Sequence, residues 1–267
     1  MRLTAPLPTT KSLTIKSATA RFKSKIFLPI KITILALSVG FVGGCENIDQ
    51  QMATNAAMEG LQAATVSDSQ LKSISQQAAQ KMDSKQSIAP PTSDYAQRLK
   101  KLVAKHQTLG DLSLNYQVYL SDEINAFAMA DGTIRVYSGL MDILTDEELL
   151  FVIGHEIGHV ALNHSKKQMQ LALSTSALRK GTASVGGTIG TIAQSDLAML
   201  GEKVIGAQFS QREEKQSDDY GLSFMQKNNY NSRAAVSALK KLGDSGGGLL
   251  SSHPNPQDRA ARIADKI

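Results

Sequence analysis

The sequence has a single cysteine, Cys45, and no tryptophan among its 267 residues. With one cysteine the chain cannot form an intrachain disulfide, which excludes a fold held together by disulfide bonds. Acidic residues are absent before Cys45, and seven of the 29 basic residues lie there. The rest of the chain therefore carries 22 basic and 24 acidic residues and is close to neutral. The net charge of +5 belongs to the N-terminal segment, so the sequence predicts no nucleic-acid partner.

The chain also lacks a long apolar run. The most hydrophobic stretch, Ile32–Gly44, is too short to span a membrane comfortably and follows a basic segment, as in a secretory signal peptide. Val42–Cys45 (VGGC) resembles the bacterial lipobox, in which the cysteine becomes the diacylated first residue of the mature lipoprotein. We therefore predict a lipoprotein signal peptide over residues 1–45, although the long basic segment also fits an uncleaved anchor or a misassigned start. Glu46, rather than Asp, after the cysteine favours the periplasmic face of the outer membrane.

Residues 46–91 are rich in Ala, Gln, Ser and Met, and we interpret them as a helical spacer that packs only partly. A helix is expected from Ser67 to Lys85. Pro90 and Pro91 end the spacer, because proline lacks an N–H and restricts the residue before it. The remaining residues, 92–267, are expected to form one domain, which begins with a helix capped by Ser93.

A small sheet is predicted early in this domain. Leu112–Leu120 alternates as a strand does, and Asn125–Ala130 and Thr133–Tyr137 predict a hairpin with a tight Asp-Gly turn. We expect an antiparallel sheet with an exposed edge. An edge strand can bind an extended peptide by strand addition, but the stretch Asn125–Ala128 (NAFA) fits a plain sheet strand equally well.

The most informative stretch is Leu149–His164 (LLFVIGHEIGHVALNH). It contains His155, Glu156 and His159 in the order H-E-x-x-H. On a helix the two histidines lie one turn apart on the same face, so both imidazoles can reach one metal ion, and zinc suits them. Glu156 is rotated about 100° from His155, beside the open position of the metal. This pattern predicts peptide hydrolysis, with Glu156 as the general base toward a zinc-activated water.

An accidental match on an exposed helix is the alternative, because the motif is short. The flanking residues argue against it: they are apolar on nearly every side, which is typical of a buried helix, and buried histidines and glutamate need a partner such as a metal. Gly154 and Gly158 lie one turn apart and predict the close approach of another backbone. The preceding Thr145–Glu148 matches a capping box that begins this helix.

A catalytic zinc needs a third protein ligand, and a glutamate downstream is a common completion of the motif. We predict one long helix over residues 195–227, on which Glu213 and Glu214 are both candidates. Glu214 is favoured because Asp218 lies one turn later and could hydrogen-bond the outer nitrogen of a ligand histidine. Glu213 otherwise fits an exposed charged face.

Two other histidines receive no role from the sequence. His106 is expected at a helix end or on the surface, and so is His164, which is too far around the helix from His159 to join the same site. Gly181–Gln194 is rich in glycine and hydroxyl residues, and both a lid over the cleft and a plain flexible connection fit it.

Four separated motifs, from Tyr95 to the C-terminus, resemble the HtpX and CAAX prenyl protease family of gluzincin metallopeptidases. They are NAFAM, HEIGH, S-x-R-x-E-x-x-x-D and S-x-H-P followed by an arginine. The stretches VYSGLMDILTDEEL and QFSQREE look closest to lipoprotein members in the bacterial outer membrane. Two departures are visible: Gln216 and Ser217 stand where the family has Glu and Ala, and the membrane helices of its multi-span members are missing here.

The resemblance implies a zincin-like α+β, mostly helical fold with one Zn²⁺ per chain. It implies these site residues: metal ligands His155, His159 and Glu214; catalytic Glu156, His253 and Arg259; Asp218 beside a ligand histidine; and a substrate strand of Asn125, Ala126, Phe127 and Ala128. The implied substrates are misfolded or misassembled envelope proteins, and the outer-membrane assembly machinery or a related lipoprotein protease is a candidate partner. A rival interpretation is a zinc-binding chaperone or assembly factor whose hydrolysis is latent, because His253 could take the open position of the metal.

Overall fold

The computed structural model describes residues 66–180 and 194–267. In these ranges the helices are α1 (Asp68–Asp83), α2 (Asp94–Leu102), α3 (Ser138–Ile143), α4 (Asp146–Ala161), α5 (His164–Lys180), α6 (Gln194–Ile205), α7 (Gln211–Lys227), α8 (Arg233–Ser245), α9 (Leu249–Ser252) and α10 (Pro256–Ala264). The strands are β1 (Thr108–Leu109), β2 (Leu112–Ser113), β3 (Asn115–Tyr119), β4 (Ala126–Ala128) and β5 (Thr133–Tyr137). The predicted α+β, mostly helical class is confirmed.

The main sheet has the order β3-β5-β4. The predicted hairpin is confirmed, since β4 pairs antiparallel with β5 and Gly132 adopts the positive φ of 89° that favours glycine in the turn. The pairing of β3 differs from the expectation, because β3 runs parallel to β5 and the sheet is mixed. After β3 the chain passes to the opposite edge of the sheet, where it forms β4. Strand β5 then returns between β3 and β4 and becomes the central strand. This arrangement leaves β4 at an edge, next to α4.

Helix α4 lies at the centre of the larger hydrophobic core. Its first turn carries the predicted capping box: the Thr145 side chain accepts from the N–H of Glu148, whose carboxylate accepts from the N–H of Thr145. Every residue from Glu148 to Val160 is buried. One side packs on β4, and the others pack on α7 and α8. A helix apolar almost all round can sit there only because neighbours cover all its faces.

The two glycines of α4 allow α7 to approach closely, as predicted. A Cβ on Gly154 would lie 2.8 Å from the Phe224 ring, and one on Gly158 would lie 3.2 Å from Cα of Ser217. Gly221 of α7 makes the reciprocal approach, with its added Cβ 3.2 Å from the backbone N of His155. The close contact between α4 and α7 brings the two halves of the site together.

Helix α1 packs more fully than a loose spacer would. Ser67 caps it, and it contributes a buried face to a second core cluster with β-strand aromatics and α6. The residues on this face are Leu71, Ile74, Ala78, Ala79 and Met82. The predicted helix over Ser67–Lys85 is therefore confirmed, and this part of the predicted spacer packs one face against the domain and leaves the other face exposed. The domain boundaries at 45/46 and 91/92 remain predictions.

The long helix predicted over residues 195–227 is wrong. Two helices, α6 and α7, occupy this range and are separated near Gly206, and Ser210 caps the second one with a capping box to Glu213. Of the predicted loop Gly181–Gln194, residues 181–193 lie outside the described part, as does the whole predicted signal segment with Cys45. Within residues 66–180 and 194–267, no helix has the length and apolarity needed to cross a membrane.

Candidate metal centre

Helix α4 supplies the first three groups of the site. His155, Glu156 and His159 are all buried. The Nε2 atoms of the two histidines lie 3.0 Å apart, as expected for side chains one helical turn apart. The carboxylate of Glu156 lies beside them on the flank of the helix. The sequence motif is thus buried inside the fold, and the accidental surface match is excluded.

Helix α7 adds Glu214 and Asp218. Oε1 of Glu214 lies 3.2 Å from Nε2 of His159, and Oε2 lies 3.7 Å from Nε2 of His155. Asp218 is one turn further along and approaches the outer face of His155, with 3.0 Å between Oδ1 and Nδ1. Helix α7 therefore places the Glu214 carboxylate at the Nε2 atoms of both histidines and the Asp218 carboxylate at the Nδ1 atom of His155.

The neighbouring Glu213 faces the opposite way. Its carboxylate accepts from the N–H of Ser210 at the start of α7 and lies 2.7 Å from Nζ of Lys167. Burial acts to raise its pKa, but Lys167 and Ser210 outweigh burial and lower the pKa to about 2. The capping role fixes the rotation of the helix, so Glu213 is held, partly buried, by Ser210 and Lys167 while Glu214 faces the histidines.

The C-terminal segment, which contains α9 and α10, contributes His253 and Arg259. Asn255 adopts a left-handed conformation with φ of 57°, and Pro256 begins α10, so the chain reverses sharply between the two residues. Nδ1 of His253 lies 2.9 Å from Oε1 of Glu214 and 3.3 Å from Nε2 of His155. His253 therefore joins the same cluster as the residues of α4 and α7.

Arg259 is buried against the two carboxylates of α7. Its Nη1 lies 2.5 Å from Oε2 of Glu214, while Nη2 and Nε lie 2.7 and 2.9 Å from the two oxygens of Asp218. A guanidinium engaged in this way balances buried negative charge and orients both carboxylates. Arg259 therefore borders the site beside the two carboxylates of α7.

The donor set fits a divalent metal ion. His155, His159, Glu214 and His253 each offer one ligand atom, and the four atoms lie within 4.8 Å of one another. Tetrahedral zinc with bonds of about 2.0–2.1 Å separates its ligand atoms by about 3.3 Å, which lies within the 2.9 to 3.7 Å spanned by the contacts above. Two histidine nitrogens and a carboxylate oxygen are the donors that zinc prefers.

Burial and mutual contacts shift the pKa values in this cluster. Burial raises the pKa of Glu156 against the opposing effect of His253 and His155. Burial lowers the pKa of His159 well below its usual value, which favours the neutral imidazole. Burial acts to raise the pKa of Glu214, but His253 and His155 outweigh it and hold that pKa far below its usual range. A neutral histidine and an ionised carboxylate are the protonation states that bind a metal.

Glu156 has an oxygen that no protein group engages. Its Oε1 is buried and has no hydrogen-bond partner among the described residues, and the closest charged group is Nε2 of His253 at 3.6 Å. A buried carboxylate oxygen without a partner is costly unless another molecule meets it. The atom is therefore available to a water molecule or a substrate beside the four-residue cluster.

The predicted substrate strand lies at the sheet edge, but its polar groups have internal partners. The N–H of Ala126 donates to Oδ1 of Asn125, and the hydroxyl of Ser165 donates to the carbonyl of Ala128 at 2.9 Å. Asn125 and the three residues of β4 are buried. The edge position matches the prediction, and two polar groups of this edge, the N–H of Ala126 and the carbonyl of Ala128, already have partners within the chain.

Three residues were missed or misplaced by sequence reasoning, and two of them lie beside the site. His164 begins α5, which fits the helix-end expectation, but it is buried with its Nδ1 3.2 Å from Nδ1 of His159, so the surface alternative is wrong. Phe209 stacks on the ring of His159 with centroids 3.7 Å apart. His106 is also buried and contacts the hydroxyl of Tyr230 at 3.0 Å, far from the cluster in the chain. Gly206 was the available signal for Phe209. A glycine there ends α6, so Phe209 lies in the connection between α6 and α7 rather than within one long helix.

Comparison with known proteins supports the same chemistry. Residues 91–267 match the model of peptidase family M48. Metalloprotease LoiP of Escherichia coli K12 is 44% identical over 246 residues, which cover 90% of this chain and 98% of LoiP. Metalloprotease YcaL of the same strain is 35% identical over 241 residues, covering 87% of this chain and 95% of YcaL. A beta-barrel assembly-enhancing protease of Yersinia pestis is 30% identical over 153 residues, or 52% of this chain and 31% of that protein. The resemblance drawn from the sequence motifs is confirmed: the chain belongs to peptidase family M48 and is a metalloprotease.

Proposed function

We propose that this metalloprotease is a zinc-dependent endopeptidase in which His155, His159 and Glu214 hold one zinc ion and Glu156 is the general base. The convergence of these ligand atoms with a partner-free oxygen of Glu156 carries the proposal. When bound, zinc polarises the scissile carbonyl and lowers the pKa of a coordinated water to about 7. The protein supplies the remaining elements of the reaction.

Glu156 has the placement that a proton acceptor needs. Its pKa is raised by burial, which moves it toward the pH at which a general base works best. It takes a proton from the attacking water and returns it to the leaving amine. The single guanidinium group of Arg259 is paired with the metal ligand Glu214 and with Asp218, so Arg259 orients these carboxylates. This geometry supports an orienting role for Arg259 in place of direct contact with the substrate.

Metal analysis and casein hydrolysis by the fragment Glu46–Ile267 test this function. Glu156→Gln keeps the shape of the side chain and both histidines but removes proton transfer, which contributes about 10²–10⁴-fold. We expect zinc to stay bound while hydrolysis falls by that factor. The matched control is Glu147→Gln, which alters an exposed carboxylate on the same helix. Unchanged hydrolysis by the Glu156→Gln protein would refute the proposed base.

We further propose that an extended substrate aligns with β4. The strand lies at the edge of the sheet and next to α4, which carries the metal ligands. A peptide that adds to this edge would take over the carbonyl of Ala128, which now accepts from Ser165. Ser165→Ala should therefore lower KM for an extended peptide, and a raised KM would contradict the alignment.

A second candidate function is a zinc-binding chaperone or outer-membrane assembly factor with latent proteolysis. The observation that favours it is the position of His253, whose Nδ1 lies among the other three ligand atoms. If His253 holds the last position on the metal, then His253→Ala should raise casein hydrolysis. If His253 instead assists the reaction, the same change should lower hydrolysis with zinc content preserved.

We propose that the mature chain is attached to the periplasmic face of the outer membrane through a diacylated Cys45. The support is the lipobox-like Val42–Cys45 and the glutamate that follows it. Two acyl chains give the stable attachment that one chain does not. Incorporation of a palmitate analogue should be lost in Cys45→Ser, and unchanged labelling would refute the anchor.

The proposed substrates are misfolded or misassembled envelope proteins. Support comes from the names of distant relatives, which are beta-barrel assembly-enhancing proteases. The proposed partner is the outer-membrane assembly machinery or a related lipoprotein protease. In a strain whose chromosomal copy carries Glu156→Gln, uncleaved assembly intermediates should accumulate and co-purify with the inactive protein. An unchanged envelope proteome under assembly stress would contradict this substrate class.

A further inference from the structure

His164 lies directly behind His159, although the two residues belong to different helices. Helix α4 ends at Ala161, and Asn163 adopts a left-handed conformation with φ of 62°. This reversal begins α5 at His164 and turns its ring back toward the last turn of α4. The residue is 6% exposed, so it is held inside the protein next to the metal cluster.

The two rings meet through their Nδ1 atoms. Nδ1 of His164 lies 3.2 Å from Nδ1 of His159 and 3.3 Å from Oγ of Ser217. On the opposite side of its ring, His159 directs Nε2 toward Oε1 of Glu214. Phe209 stacks on the flat face of the same ring. The position of His159 is thus defined by a stacking contact and by one hydrogen-bonding partner at its outer nitrogen.

The protonation of His159 decides whether it can bind a metal. A metal ligand needs the lone pair of Nε2, so the neutral ring must carry its proton on Nδ1. That N–H then points at Nδ1 of His164, which must accept it with its own proton on Nε2. The opposite arrangement would place a proton on Nε2 of His159, directed at Glu214 where the metal ion would bind.

We propose that His164 is a positioning residue for the metal ligand His159, and that it accepts the Nδ1–H of that ligand. The inference deepens the proposed zinc site and rests on it. Partners at the outer nitrogen of a ligand histidine set its tautomer and ring orientation, and their loss usually costs about 10–100-fold in metal affinity or activity.

The two ligand histidines have different partners. Nδ1 of His155 faces the carboxylate of Asp218, which is held ionised and can only accept. An imidazole can donate or accept, so His164 can hold His159 in either tautomer. The metal-free protein can therefore place the proton of His159 on Nε2, where it donates to Glu214. Zinc binding to that form then requires both rings to change tautomer: His159 releases the proton on Nε2 and takes the Nδ1 proton of His164, and His164 gains a proton on Nε2 from solvent.

Paired substitutions at residue 164 test the role of the acceptor. His164→Leu removes the acceptor and keeps most of the volume, whereas His164→Asn keeps an amide oxygen at the place of Nδ1. We expect His164→Leu to lower Zn²⁺ affinity about 10–100-fold, measured on the purified chain by competition with a chromophoric chelator. His164→Asn should restore most of this loss. His159→Ala serves as the control for the ligand set.

The outcomes separate this inference from the proposed function. If His159→Ala abolishes zinc binding and His164→Leu binds zinc normally, the positioning role is refuted and the site stands. If His159→Ala retains zinc, the ligand set itself fails. Equal losses in His164→Leu and His164→Asn would assign the effect to packing and also refute the role.

A measurement on the unmutated chain guards against misfolded variants. Long-range ¹⁵N–¹H correlation spectra of the zinc-loaded protein report the protonated nitrogen of each histidine ring. We expect a proton on Nδ1 of His159 and on Nε2 of His164. A proton on Nδ1 of His164 would refute the proposed hydrogen bond, whatever the variants show.

Discussion

Oδ1 of Asp218 lies 3.0 Å from Nδ1 of His155, on the side of the ring that faces away from the metal cluster. Both residues are buried, and Arg259 donates to both oxygens of the carboxylate. Burial acts to raise the pKa of Asp218, but Arg259 and His155 outweigh it and lower that pKa. The aspartate therefore stays ionised and fixes a proton on the outer nitrogen of His155, which leaves the inner nitrogen free to bind a metal.

Replacing this carboxylate should weaken metal binding without removing a ligand. We expect Asp218→Asn to lower zinc affinity about 10–100-fold and to destabilise the protein, because Arg259 is left with less charge compensation in a buried site. Chelator competition and urea unfolding measure the two effects. Asp219→Asn is the matched control, since Asp219 pairs with Arg262 and Lys266 at the surface. Equal effects of the two changes would contradict the assignment.

The two adjacent glutamates of α7 should behave differently. Glu214→Ala removes a ligand oxygen and leaves Arg259 facing an empty space, so zinc content and hydrolysis should both be lost. Glu213→Ala removes the carboxylate that completes the capping box of Ser210 and its ion pair with Lys167, so it should lower stability by about 0.5–1.5 kcal/mol for the lost hydrogen bonds and retain zinc. Metal analysis of both purified proteins decides the point. Loss of zinc in Glu213→Ala alone would overturn the orientation of this helix.

The distance between α4 and α7 should control the quality of the site. In Gly221→Ala the new methyl group would lie 3.1 Å from the Phe151 ring and 3.2 Å from N of His155. The helices must separate to accommodate it, at a cost of about 1–3 kcal/mol for an overpacked core. We expect lower stability and weaker zinc binding together. Gly206→Ala, at an exposed position between α6 and α7, should leave zinc affinity unchanged.

Lowering the pH should destabilise the start of α4, because the Glu148 carboxylate of the capping box becomes protonated. Burial acts to raise the pKa of this carboxylate, but Lys241, Ser237 and Thr145 outweigh it and lower the pKa below 4.5. Because the folded pKa is below the unfolded one, the ionised carboxylate stabilises the fold above about pH 4.5. This contribution disappears as the pH falls through the folded pKa.

Urea unfolding of the wild type and of Glu148→Gln measures this contribution. The stability difference between them should be largest near pH 7 and should shrink steadily below pH 4.5. Glu147→Gln, at the exposed neighbouring residue, should show no such trend. A difference that grows on acidification would mean that the carboxylate has a raised pKa in the folded protein.

Local sequence alone specified the metal helix. Thr145 and Glu148 mark its start, apolar flanks predict its burial, and Gly154 and Gly158 predict the close neighbour that α7 provides. The hairpin of β4 and β5 was equally predictable from Asp131-Gly132. These features depend on interactions within a few residues of the chain, so the pattern of side chains determines them directly.

The spacing to Asp218 selected Glu214 over Glu213 from the sequence, and the structure adds a second reason in a helix start that the sequence prediction missed. The capping box of Ser210 and Glu213 was present in the sequence, but the single long helix that was predicted ran across it. Once α7 begins at Gln211, Glu213 is committed to the cap and Glu214 points inward.

Only the tertiary structure decided which distant residues complete the site. His253 and Arg259 reach the cluster through a reversal at Asn255, and His164 reaches His159 through another reversal at Asn163. The family resemblance named His253 and Arg259 as site residues, but no local pattern gives their distances from α4, which depend on how α7, α9 and α10 pack. That packing is set by the shape of the whole core rather than by any local pattern.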